Sequence, residues 1–315
     1  MTETISLPAA QCPTARAILH ALLYFEVFSY PLTVEEVFRF SDCAGATIDE
    51  VREKLEDLER KGLVFQFGHF YQTQNNPAWE VRRLECNRRA DRHLPIARHR
   101  ARLIGGFPFI RGVFVSGSLS KHCMSADSDI DFFLVTEPGR LWLARTMLVF
   151  FKKIFLLNSH KYFCVNYFVD TSHLEIQEKN RFTATETVTL LPMYGQEWYA
   201  AFCAANGWAW EQYPNAAPRP AEGVPQHSRP FLKRLLEWIL NGKMGDWLDS
   251  RFMRLTVGFW KKKFKHFDLD AFNIALKSRR YVSKHHPLHF QEKVLTTFER
   301  RVVEMKFGKN AASQI

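Results

Sequence analysis

The chain has 315 residues, 46% of them hydrophobic and 14% aromatic, and its 43 Lys and Arg against 33 Asp and Glu give a formal net charge of +10. That content buries a sizeable core in two or three domains and excludes a disordered or fibrous chain. Six cysteines without a C-x-x-C pair read as buried thiols of a reducing compartment and speak against a zinc site.

The first residues, MTETISLPAAQCPTARA, lack the basic start and apolar run of a signal peptide, so a cytoplasmic location is expected. Helical periodicity over 15–28 is followed by a break at Pro31. A second helix over 33–40 has Thr33 as N-cap and Glu36 as its capping-box partner. A third, over 47–61, repeats the box with Thr47 and Glu50 and stops at Gly62. Residues 64–67 and 70–73, joined by Gly68 and His69, predict a hairpin. Three helices and a hairpin over 14–76 resemble a winged helix-turn-helix. Its third helix carries six acids against four bases, the wrong balance for a major-groove reader, so a packing or partner role is expected.

Residues 77–104 predict a connecting helix with eight arginines between 81 and 102. Its basic face is either solvated surface or a contact for an anionic substrate.

The segment 114–135 carries the chemistry. Asp129 and Asp131 stand two apart, so in a strand they share a face, with Cα atoms roughly 7 Å apart. Residues 132–135 are uniformly apolar, as in a strand buried on both faces. Two carboxylates opening such a strand are costly unless a cation meets them, and Mg²⁺ is the obvious candidate. Upstream, Gly117 follows an apolar run and permits a positive φ and close approach to a phosphate. Ser118 offers a hydroxyl to a phosphate oxygen, and Ser120 and Lys121 follow at once, Lys121 adding charge where a triphosphate would lie.

This stretch resembles the nucleotidyltransferase superfamily typified by DNA polymerase beta, whose signature is an apolar residue, Gly-Ser, a spacer of about ten residues, and Asp-x-Asp in an apolar strand. Ten residues, 119–128, separate Ser118 from Asp129 here. The resemblance is specific over some twenty residues and extends loosely over 105–212. It implies an α/β (α+β) domain with a mixed sheet, in which Asp129 and Asp131 hold two Mg²⁺ ions, with Mn²⁺ as a substitute. Gly117, Ser118, Ser120 and Lys121 would bind the nucleotide. The implied reaction moves a nucleoside monophosphate from an NTP to an acceptor hydroxyl whose identity the sequence does not give.

The superfamily uses a third carboxylate on a later strand. Residues 161–170, KYFCVNYFVD, read as that strand, with Asn166 mid-strand where the family has an acid. Asp170 lies four residues on, on the same face by alternation, and either supplies the third metal ligand and catalytic acid or caps a turn with Thr171 and Ser172. Glu175 and Glu186 are more distant substitutes. Because Asn166 is not an acid, the rival expectation is a nucleotide-sensing or regulatory protein without catalysis.

The apolar stretch 141–157 contains Arg145, Lys152 and Lys153, so it predicts a packed helix and not a membrane span. No membrane is expected among the partners. Four prolines within 213–227 mark a linker. Beyond it, 228–315 is helical by pattern, and residues 227–315 hold 19 Lys and Arg against 8 Asp and Glu. These basic helices either bind nucleic acid or present a solvated face. The expected order is therefore a winged-helix-like module, a connecting helix, a nucleotidyltransferase domain over 105–212, a linker and a basic helical domain over 228–315.

Overall fold

A computed structural model describes residues 12–155, 161–265, 276–284 and 290–307. Helices α1 (Pro13–Glu26), α2 (Val34–Phe40) and α3 (Ile48–Arg60) precede the hairpin of β1 (Phe65–Phe67) and β2 (Phe70–Gln72). Both capping boxes form. Glu36 N–H donates to Thr33 Oγ1 at 3.3 Å and Thr33 N–H to Glu36 Oε2 at 3.1 Å; Thr47 and Glu50 exchange the equivalent pair at 3.2 and 2.7 Å. Each box satisfies two amide donors that the helix start leaves unpaired.

The 28-residue α4 (Ala78–Gly105) leads into a six-stranded mixed sheet in the order β6-β3-β4-β5-β8-β7. Its central strands are β3 (Ile110–Ser116), β4 (Asp131–Thr136) and β5 (Cys164–Asp170), with β6 (Leu191–Tyr194) outside β3. Strands β3 and β4 are antiparallel with Ser116 opposite Asp131, whereas β4 and β5 are parallel with Asp131 opposite Cys164. The parallel pair requires a crossover, supplied by α6 (Leu141–Phe155). One sheet face packs Val113, Val115, Phe132 and Leu134 with residues of α4 and α6; the other packs Phe114, Phe133 and Val135 with Phe202 of α8 (Gln196–Ala205). Every side chain of β4 after Asp131 is buried, as the apolar run requires.

The last segment adds strands to the central sheet, and the first and last segments share a core. The C-terminal segment is not helical throughout: besides α10 (Phe231–Ile239), α11 (Gly242–Lys263) and the last helix (Phe290–Phe307), it contributes β7 (Ser278–Arg279) and β8 (Val282–Lys284) to the sheet. Strand β8 covers the edge of β5, Lys284 facing Tyr167, and an edge so covered offers no template for stray pairing. The first three helices share their core with later elements. Their core includes Ala184 and Val188 of α7 (Arg181–Thr189), Ala209 of α9 (Gly207–Gln212), Tyr213 and Val294. The rings of Tyr24 and Phe298 meet edge to face at 5.7 Å, and Arg301 Nη1 lies 3.1 Å from Glu26 Oε2. Within 213–227, Pro225 O accepts from Gly195 N–H at 2.7 Å and Arg219 N–H donates to Tyr199 Oη at 3.0 Å, so this stretch is tied to α8 and its start. Among the described residues no helix is long and apolar enough to cross a membrane.

Candidate functional site

The Gly-Ser turn and the aspartate pair come together at one end of the β3–β4 ladder. Gly117 opens the four-residue helix α5 (Gly117–Ser120) with φ +67°. A Cβ at that position would stand 2.6 Å from Asp131 Oδ2, so both the backbone angle and the contact demand glycine. The turn thus lies directly on the carboxylate.

Asp131 is mostly buried, and burial, reinforced by the charges of Asp129 and Glu186, pushes its carboxyl up to about 7. Lys121 and a hydrogen bond with Cys164 oppose that shift without cancelling it. Asp129, two residues earlier and just outside β4, is half-buried. A carboxyl raised in this way has too little positive charge beside it to hold it ionised.

Strand β5 supplies the neighbour of Asp131. Asn166 donates from Nδ2 to Asp131 Oδ1 at 2.8 Å and accepts on Oδ1 from the Cys164 thiol at 3.1 Å. The pairing of β4 with β5 steps from Phe132–Val165 to Phe133–Tyr167, leaving Asn166 as a bulge. The extra residue resets the alternation: Tyr167 stacks on Phe133 at 4.9 Å, and Phe168 turns to the opposite core. Asp170 therefore does not share the face of Asn166, contrary to the alternation expected from sequence. It pairs with Thr136 at the far end of β4, some five residues or roughly 17 Å of strand from Asp131. There its Oδ1 accepts from Ser172 N–H at 3.0 Å and contacts His173 Nδ1 at 2.7 Å. Asp170 is a turn cap, and its assignment as third ligand is corrected.

The acid that does reach the turn is Glu186 of α7, held opposite by the capped start of that helix, where Thr183 N–H donates to Asn180 Oδ1. Glu186 Oε2 accepts from Gly117 N–H at 3.2 Å, and its Oε1 lies 2.7 Å from Lys121 Nζ. Lys121 also donates to Gly117 O at 3.1 Å. Two donors assigned to phosphate by sequence are therefore engaged by a carboxylate. Ser118 is half-buried beside them, but Ser120 is buried and donates to Gly117 O at 2.8 Å, bracing the turn from behind. The Ser120 hydroxyl is thus turned to the backbone of the turn in this structure.

Beside Asp131, Asn166 and Glu186 opens a cavity of about 230 Å³ walled by Phe133, Tyr167, Phe182, Phe202 and Phe290, with the buried Lys284 also lining it. Sequence reasoning missed this pocket because its five aromatic walls come from five separate elements; the density of aromatics in 162–168 and 182–202 was the available signal. Among the described residues no three His, Cys, Asp or Glu side chains gather as a metal site. No protein-family model, curated protein or solved structure matches the chain.

Proposed function

We propose that this protein binds a magnesium nucleoside triphosphate at the Gly117–Asp131 site and transfers its nucleotidyl group to an acceptor hydroxyl. The observation that carries the reading is the approach of Gly117 to Asp131, 2.6 Å from a Cβ to Oδ2, which joins the glycine turn, the aspartate pair and Lys121 in one site.

The residues fit one Mg²⁺ ion better than two. Magnesium is commonly held by one or two carboxylates together with substrate phosphates and water, and Asp129 with the under-neutralised Asp131 are such a pair. The ion would supply charge to the triphosphate and the departing pyrophosphate. Asn166 brings no negative charge for a second ion, and its amide holds one oxygen of Asp131. Lys121 meets the phosphates once Glu186 yields it, and Glu186, standing against the turn, is then the remaining carboxylate near the acceptor. The aromatic cavity matches the size and flat apolar faces of a nucleobase.

The test is transfer of label from each α-labelled NTP in Mg²⁺ and in Mn²⁺, alongside calorimetry of the same nucleotides. Label transfer lost in Asp129→Asn and Asp131→Asn supports the enzyme. Absence of metal-dependent nucleotide binding overturns the reading.

Asn166 favours a second reading, a regulatory protein that binds the nucleotide without turning it over. Its outcome is binding that needs Asp131 and no transfer to any acceptor.

A further inference from the structure

Helix α10 is built inside out. Its inward face carries Lys233 and Glu237, both buried. Lys233 Nζ donates to Gly105 O at 2.7 Å and Ile110 O at 2.8 Å, and burial pulls its ammonium down to about 7. Glu237 accepts from Phe109 N–H and from Arg111 Nη1, both at 2.7 Å; burial opposes its ionisation, but these bonds hold its carboxyl below the usual range. The outward face is apolar. Phe231, Leu232, Leu235, Trp238 and Ile239 fall at i, i+1, i+4, i+7 and i+8, one helical stripe, and Trp238 and Phe231 are 77% and 74% exposed.

The next helix adds Trp247, Leu255 and Phe259, all exposed. Across 231–265 eight exposed Lys and Arg side chains face one exposed acid, Asp246, whose Oδ1 is taken by Arg140 at 2.6 Å. An amphipathic helix with Trp and Phe on one side, in a segment whose exposed charge is almost wholly positive, has the composition of an interfacial helix.

We propose that the exposed stripe of α10, with the basic flank of α11, docks the protein on an anionic phospholipid surface. This proposal departs from the expectation that no membrane is a partner, which considered only a spanning segment. The charge decides among occupants. A second copy of the chain would bring the same positive flank against itself. A nucleic acid would meet the lysines but leave Leu232, Leu235 and Ile239 in water, because phosphate contacts use Lys and Arg and not aliphatic side chains. A bilayer with acidic headgroups takes both, the rings and aliphatics entering the headgroup boundary while the cations pair with lipid phosphate and carboxylate.

The test uses the full chain with phosphatidylcholine vesicles, with and without phosphatidylserine. Co-sedimentation is expected only with phosphatidylserine, to weaken as salt rises, and to be accompanied by quenching of tryptophan fluorescence by lipids brominated in their acyl chains. Phe231→Ser with Trp238→Ser is expected to lower partitioning about tenfold or more, since each large side chain loses its transfer from water. Leu235→Asn with Ile239→Asn repeats the test on different residues. All four side chains are exposed, so thermal melting of the variants should match the parent. No partition onto phosphatidylserine vesicles overturns the proposal, as does undiminished partition of both variants. Concentration-dependent dimers lost in these variants would assign the stripe to a second copy, and nucleic-acid binding lost in them would assign it to a polynucleotide; either result overturns the lipid surface.

Discussion

Asn166 donates its side-chain amide to Asp131 Oδ1 at 2.8 Å, where a nucleotidyltransferase would be expected to place its third acid. Asn166→Asp therefore sets a second carboxylate against one that is already buried and under-neutralised. Without metal the variant should melt lower, by roughly 1 to 3 kcal/mol of stability. Mg²⁺ should restore more stability to it than to the parent and bind it at least about tenfold more tightly, and label transfer should rise. Equal Mg²⁺ affinity in the two proteins would remove the third-acid role from this position.

Asp131→Asn tests the metal site from the other side. The folded carboxyl titrates near 7 because of burial, with Asp129 and Glu186 adding repulsion and Lys121 and Cys164 opposing it, whereas an unfolded aspartate titrates near its ordinary value of 3.8. The folded state thus binds the extra proton between those values, and stability falls as pH rises through that window. Above about 7 the penalty is complete, so the asparagine variant should be the more stable apoprotein there, by roughly 2 to 4 kcal/mol. Below about 4 the advantage should vanish. Parent protein should bind Mg²⁺ more tightly as pH rises towards 7 and release a proton on binding, both measurable by calorimetry in buffers of different ionisation heat; the variant should do neither.

Glu186 holds the donors a phosphate needs, with Gly117 N–H at 3.2 Å and Lys121 Nζ at 2.7 Å. Glu186→Gln should tighten binding of a nucleoside triphosphate in EDTA by roughly tenfold, because a competing anion is removed. Lys121→Ala should weaken it by a similar factor. Fluorescence titration with a labelled ATP analogue reads both, and weaker binding by the glutamine variant would show that Glu186 contributes to the nucleotide site instead of blocking it.

Helix α3 should not read duplex DNA. Arg52 is already paired with Asp49 at 2.5 Å and Lys61 with Asp57 at 2.8 Å, leaving an acidic helix. Anisotropy of a labelled duplex with the full chain should change by less than about twofold on Arg52→Ala with Arg60→Ala. Any duplex affinity should fall, with a smaller salt slope, when Lys261, Lys262 and Lys263 become alanine. A loss confined to the α3 variants would reverse this assignment.

What the sequence made legible was local. Thr33–Glu36 and Thr47–Glu50 announce helix starts within four residues, and Gly117 and Asp131 announce a glycine turn and a carboxylate strand from composition alone. The misplacement of Asp170 came from one bulge: counting by twos from Cys164 puts 166 and 170 on one face, and the unpaired residue at 166 inverts every position after it. Strands β7 and β8, two and three residues long, are too short to repeat the two-residue alternation that marks a strand. Glu186 and Phe290 reach the site only through tertiary packing, which no spacing along the chain records.

Glu26 ties α1 to a helix some 275 residues further along the sequence. Its buried carboxylate accepts from Thr73 and from Arg301, so one side chain joins α1, the strand hairpin and the last helix. On a translating ribosome, Tyr24 and Glu26 emerge long before Phe298 and Arg301 are synthesised. The first helix then carries an apolar face and an acid awaiting a cation from almost the full length of the chain away. Nascent chains stalled before residue 298 should accordingly remain open to protease at α1 and be held by chaperones until the helix Phe290–Phe307 has emerged to cover it.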